Sequence, residues 1–100
     1  MASPMTIVHD PVRQRVVMNL GTDEAVLIYT LVGTALDVRT ISVPESYRGR
    51  GIAEQLARFV FEYAKNRGKK IIPTCPYLRQ HFLKHHPDYL HLTAEDTTTR

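Results

Sequence analysis

Val43-Pro44-Glu45-Ser46-Tyr47-Arg48-Gly49-Arg50-Gly51-Ile52-Ala53 joins two unlike stretches of this chain. Before it, Ala35 to Val43 is rich in β-branched residues and reads as a strand. After it, Ile52 to Arg67 sets Ile52, Leu56, Phe59, Val60 and Tyr63 at helical spacing, with Glu54, Arg58, Glu62 and Lys65 on the opposite face. A chain that leaves a strand, passes two glycines flanked by arginines and enters a helix builds an anion site. The helix N-terminus offers unpaired N–H groups and a partial positive charge, which suit phosphate. Gly49 and Gly51 lack the Cβ atoms that would hold a diphosphate off the backbone. Arg48 and Arg50 add charge and fork-shaped donors. A solvated turn is the alternative, and an isolated G-x-G would favour it. The agreement of strand, helix and arginines favours phosphate.

Two common phosphate motifs fail against these letters. A P-loop requires G-x-x-x-x-G-K-[ST], which the chain does not contain. A dinucleotide fingerprint would place a third Gly or Ala where Glu54 stands, and an acid at the end of the next strand. That strand, Lys69 to Thr74 with Cys75 after it, carries none.

Working outward, Gln14 to Leu20 alternates Val16, Met18 and Leu20 and reads as a strand ended by Gly21-Thr22-Asp23. Ala25 to Val32 is nearly all apolar, and Gly33-Thr34 turns it into Ala35 to Val43. The expected fold is a mixed α/β (α+β) domain: a three-stranded antiparallel meander, then a β-α-β crossover over a helix from about Gly49 to Arg67, stopped at Gly68. Pro76 opens a second short helix, with Leu78, Phe82 and Leu83 facing the core and Pro87 ending it. Tyr89 to Leu92 reads as a short closing strand. Residues 1–12, with Pro4 and Pro11, read as a loosely held lead-in, 13–92 as a single domain, and 93–100 as a polar tail.

A chain of 100 residues supports one modest core. A hydrophobic fraction of 43% and a charged fraction of 23% are those of a globular domain. No apolar run reaches the roughly 20 residues of a membrane helix, and Met1-Ala2-Ser3-Pro4 does not lead into a secretory signal. A single cysteine forms no internal disulfide, which fits a cytoplasmic protein. The net charge of +3 gathers between Arg48 and Lys84, as a polyanionic cofactor would require. Nucleic-acid binding is the competing use of that charge, without an RNP-like string or helix-turn-helix spacing to support it.

What remains at the loop is R-x-x-G-x-A, written by Arg48, Gly51 and Ala53. It resembles the diphosphate-binding motif of the GNAT superfamily of acetyl-coenzyme A-dependent N-acetyltransferases. Ile71-Ile72-Pro73-Thr74-Cys75-Pro76-Tyr77 is similar to a Pro-x-Cys-x-Tyr segment of a very short GNAT subfamily of about this length. The resemblance spans roughly residues 13–92. It implies a minimal GNAT-like fold and transfer of an acetyl group from acetyl-coenzyme A to an amine. The diphosphate would lie against Arg48, Gly49, Arg50, Gly51, Ile52 and Ala53, and the pantetheine arm along Ile41, Ser42 and Val43. Parallel strands that part near Pro44 would admit the cofactor, and Thr74 to Tyr77 would flank the thioester.

Cys75, at a helix start, is then either a nucleophile, a base or shaping group beside the thioester, or a small core filler. Tyr77 is either the donor to the leaving thiolate or a half-buried ring. His81 and His85 stand four apart, as helical zinc ligands can, but the chain offers no convincing third ligand and no metal is expected. His81, Lys84, His85 and His86 read as a solvated basic face, with Lys84 a candidate for the 3′-phosphate. The helices that larger GNAT enzymes insert between their first strands are replaced here by the short Gly21 to Glu24 turn. An open cleft follows, suited to an exposed amine on a protein or polyamine, or completed by a partner. Two readings compete: a coenzyme A-binding module with little turnover, and a small basic nucleic-acid binder.

Overall fold

The computed structural model describes residues 6–94. Five strands form one sheet in sequence order: β1 (Thr6–Asp10), β2 (Arg15–Asn19), β3 (Glu24–Val32), β4 (Ala35–Ser42) and β5 (Lys70–Ile72). The first four pair antiparallel, whereas β5 runs parallel to β4. The mixed α+β fold is as the sequence implies, with two corrections, the first in the meander. The antiparallel meander has four strands, because Thr6–Asp10, read as part of a loose lead-in, pairs with Arg15–Asn19. Pro11 falls in the turn just beyond β1, so it ends the strand without preventing it. Residues 1–5 and 95–100, the rest of the expected lead-in and most of the polar tail, lie outside the described residues.

Alternation decides which side of the sheet is covered. Val16 and Met18 of β2, Ala25, Leu27 and Tyr29 of β3, and Leu36 and Val38 of β4 all face a single core. Helix α1 (Ile52–Asn66) fills that face through Ile52, Leu56, Ala57, Val60, Phe61 and Ala64. The apolar stripe is rotated slightly from the expected one: Phe61 is fully buried, whereas Phe59 and Tyr63 are half-buried at its border. Phe61 reaches the second helical layer, where its ring lies 5.4 Å from Phe82 and 5.2 Å from Tyr89.

After β5 the chain turns helical at residues 76–77, passes through a π-helical turn (Leu78–Phe82) and closes with a short α-helical turn, α2 (Leu83–His85). Pro87 stops it, as expected. The segment read as a closing strand is a 3₁₀ helix, Pro87–Leu92. Tyr89 and Leu92 are three residues apart and both buried, which suits the threefold 3₁₀ period better than the twofold strand period. Strand-like contact comes only afterwards, where Thr93 bridges Ile71 and the Ala94 N–H donates to the Ile71 carbonyl at 2.8 Å.

The β4–β5 junction positions everything that follows. Parallel pairing covers only Ala35 to Asp37, and the last cross-link is the Cys75 N–H donating to the Val38 carbonyl at 2.9 Å. At that point β4 also bulges: Tyr29 faces Val38 and Ile28 faces Thr40, leaving Arg39 unopposed. Beyond the bulge, among the described residues, β4 has no strand partner on its β5 side. Asp37, only 4% exposed, locks the junction. It accepts hydrogen bonds from the Thr74 hydroxyl and from Arg39 Nη1, the latter at 3.2 Å.

Candidate functional site

Pro44 ends β4 and leads into a 3₁₀ turn, Glu45–Tyr47, anchored at a distance by the Tyr47 hydroxyl, which donates to the Leu20 carbonyl at 3.0 Å. The chain then bends through Gly49 (φ 80°) and Gly51 (φ 77°), the latter capping α1 in the left-handed conformation. A Cβ added at either glycine would meet nothing within 4 Å. The protein itself therefore requires glycine here for its backbone conformation and not for lack of room. No side chain caps α1, and among the described residues nothing accepts from the N–H groups of Ile52, Ala53 and Glu54.

These amides open on a cleft of about 340 Å³ whose wall includes Val43, Tyr47, Arg48, Gly49, Gly51, Ile52 and Ala53 on one side and Tyr77 and His81 on the other. The cleft thus joins the helix mouth to the end of β4. Arg48 Nε donates to the Val43 carbonyl at 3.2 Å, which folds the guanidinium back over the loop. Arg50 does not line the cleft; its guanidinium carbon lies 5.3 Å from the Tyr47 ring centre. Ile41 is half-buried against the core and Ser42 is exposed, both on the part of β4 that lacks a β5 partner.

Cys75 is 3% exposed and belongs to the core, and its side chain lines none of the clefts described. Its backbone is fully engaged. The N–H bonds Val38, and the carbonyl accepts from Leu78 N–H at 3.0 Å, starting the second helical segment. Tyr77 sits in the cleft wall. Burial raises its pKa above that of an ordinary phenol, and the nearby Glu54 and Cys75 push the same way, so its proton is held across the physiological range. His81 stacks on Tyr77 with ring centres 5.1 Å apart.

Lys84 is not brought to this cleft. It lines a separate cavity on the other side of the 76–85 helical stretch, so it does not supply a donor beside the α1 loop. Among the described residues no group of three or more His, Cys, Asp or Glu could hold a metal ion. His85 Nδ1 instead lies 2.9 Å from the His81 carbonyl.

Glu54 is an ionisable cleft-lining residue that the sequence pattern does not single out. One position beyond Ala53, it lines both the main cleft and an adjoining one of about 240 Å³ shared with Tyr77, His81, His85 and His86. Its carboxylate meets His86 Nε2 at 2.7 Å and Arg58 Nη2 at 3.0 Å. A carboxylate only accepts, so His86 Nε2 carries the hydrogen. The hydrogen bond from His86 holds the Glu54 carboxyl below its usual range; desolvation opposes this, and the electrostatic attraction of His86 and Arg58 reinforces it. An acid one residue after the motif was the available signal, but its helical spacing to Arg58 and Glu62 made it read as solvated face.

A glycine-bent strand-to-helix loop, an open helix mouth and a parted pair of parallel strands meet at this cleft. Residues 15–92 match the GCN5-related N-acetyl-transferase family, and the chain belongs to it. It is 36% identical to Protein NATD1 of Gallus gallus over 87 residues, covering 84% of this chain and 78% of that protein. Protein NATD1 of Danio rerio is 37% identical over 91 residues, covering 86% and 82%, and the Homo sapiens protein is 36% identical over 87 residues, covering 84% and 76%. Among the described residues no helix is long and apolar enough to cross a membrane.

Proposed function

We propose that this protein binds acetyl-coenzyme A in the 340 Å³ cleft and transfers the acetyl group directly to an amine. The observation that carries this reading is the mouth of α1, where uncapped amides behind Gly49 and Gly51 face a cleft continuous with the end of β4. The amides of Ile52, Ala53 and Glu54 and the Arg48 guanidinium would hold the diphosphate, with Gly49 and Gly51 allowing close backbone approach. Arg50 would add charge from the rim. The backbone of Ile41 to Val43, lacking a strand partner on the β5 side, would pair with the pantetheine amides.

Acetyl-coenzyme A supplies the activated thioester. Tyr77, protonated and in the cleft wall, would donate to the thiolate as it leaves. Glu54, ionised where the two clefts meet, would attract and orient the cationic acceptor amine. That amine would shed one proton to water to become the nucleophile and a second as the C–S bond breaks, restoring the proton that Tyr77 gives the thiolate. The buried Cys75 favours a packing role, with its N–H fixing the point where β4 and β5 separate. Release of coenzyme A that depends on an added amine, monitored through the free thiol, tests this assignment. Activity lost in Tyr77→Phe but kept in Cys75→Ala supports direct transfer. A Cys75→Ala protein without turnover, together with a wild-type acetyl adduct by intact mass, would replace it with a covalent route.

A further inference from the structure

Behind the 76–85 helical stretch lies a second, wide-open hollow of about 490 Å³ that shares no lining residue with the cleft at the α1 mouth. Its walls are Pro73, Leu83, Pro87 and Leu90, and Arg79 and Lys84 supply its charge; no acidic side chain among the described residues lines it. A hollow of this size and openness covers one side of a small aliphatic ligand and leaves the other to solvent. Leu90 leaves 52% of its surface uncovered here, although Tyr89 and Leu92 of the same 3₁₀ segment are buried. Prolines on two sides make the walls stiff before anything binds.

The helical irregularity has a consequence at this cavity. In a regular α-helix Arg79 and Lys84, five residues apart, would point about 140° away from each other. The π-helical turn Leu78–Phe82 widens the winding between them, and both cations line one cavity with Leu83. Single π-turns inside helices are rare and concentrate at functional sites. Two like charges facing one apolar hollow repel each other, and an anion between them removes that repulsion. A guanidinium fork fits the two oxygens of a carboxylate. Apolar walls disfavour a strongly hydrated dianion such as a phosphate monoester, but they accept an aliphatic chain.

We infer that this cavity is a second binding site, for a small amphipathic carboxylate whose aliphatic body packs on Leu83, Leu90 and the prolines while its head lies between Arg79 and Lys84. This ligand does not depend on the acetyl-transfer reading, since the two sites have no wall in common.

Octanoate is a suitable probe, titrated calorimetrically into the full chain with octylamine and octanol as controls. Saturable one-to-one binding of octanoate is expected, about tenfold or more weaker in the Arg79→Glu/Lys84→Glu variant. Leu90→Asp, at an exposed position, should weaken it similarly. Arg79→Glu should change acetyl-coenzyme A affinity far less than octanoate affinity, since it lines only the second hollow. Both cations are exposed, and a circular dichroism melt checks that the variants stay folded. The inference is overturned by absent saturation, by octylamine binding as well as octanoate, or by undiminished binding in the charge-reversed protein. A mixed acidic and apolar peptide that binds where octanoate does not would also overturn it, assigning a protein partner.

Discussion

Tyr77, Cys75 and Glu54 are neighbours with three different chemical fates. Tyr77 keeps a protonated phenol in the cleft wall, so Tyr77→Phe removes a donor and little volume. Its turnover number should fall on the order of 100-fold with acetyl-coenzyme A affinity nearly unchanged, as steady-state rates and a binding titration would show. Cys75 is enclosed, so Cys75→Ala should retain most activity and cost about 1 kcal/mol of stability in a denaturant melt. Glu54 is ionised beside the adjoining cleft. Glu54→Gln should raise KM for a cationic amine several-fold with a smaller change in kcat, a split that a purely structural residue would not produce. Of these three, Tyr77 and Cys75 stand out in the sequence because a Pro-x-Cys-x-Tyr string is local. Glu54 does not, because its role depends on His86, thirty-two positions away.

The elements that frame the cleft depend on two junctions and one pin. At the first junction Gly51 holds φ 77° as the α1 cap. Alanine there forces a left-handed conformation costing about 1–2 kcal/mol, measurable as a shifted melt, while the helix survives. At the second, Thr74 donates to the buried Asp37. Thr74→Val leaves that carboxylate short of a donor and should cost about 1–3 kcal/mol. The pin is His9 of β1, whose Nε2 lies 2.6 Å from the Tyr29 hydroxyl and whose ring meets Tyr63 edge-on at 4.5 Å. Burial lowers the His9 pKa, the Arg67 charge lowers it further, and Asp10 partly offsets both. The neutral ring is therefore the native form, and the unfolded chain binds the extra proton first. Stability should fall as pH drops below about 6.5, level off once pH passes the depressed native value, and lose this dependence in His9→Phe.

Element-scale legibility in the sequence follows from range. The strand–loop–helix–strand order could be read because alternation and helical spacing are properties of adjacent residues. β1 could not, because Thr6–Asp10 becomes a strand only by pairing with β2 and burying His9 against α1 residues far along the chain. The π-turn is equally hidden: Leu78, Phe82 and Leu83 satisfy an ordinary helical stripe, and only the extra winding sends Lys84 away from the α1 loop.

At the scale of the whole molecule, α1 and the helical segments over 78–92 pack into the core on one face of the sheet, among the described residues. On the other, Val8, Val17 and Val26 pair across three strands without joining the core. Under the proposed transfer, the short turn between β2 and β3 would leave room for an amine presented on a larger molecule. The charge of +3 and the arginines of the loop should make cofactor binding weaken as salt rises, because the partner is a polyanion. A titration at about 50 and about 500 mM salt reads this directly, and exposed Arg50→Ala should flatten the slope.

The most direct measurement is calorimetric titration of acetyl-coenzyme A into the wild-type chain and into Gly51→Val, with both proteins verified as folded. Saturable binding to the wild type, reduced at least tenfold by a side chain at the α1 mouth, is the expected result. No binding to the folded wild type, or equal affinity in both proteins, would contradict a diphosphate held on the α1 amides.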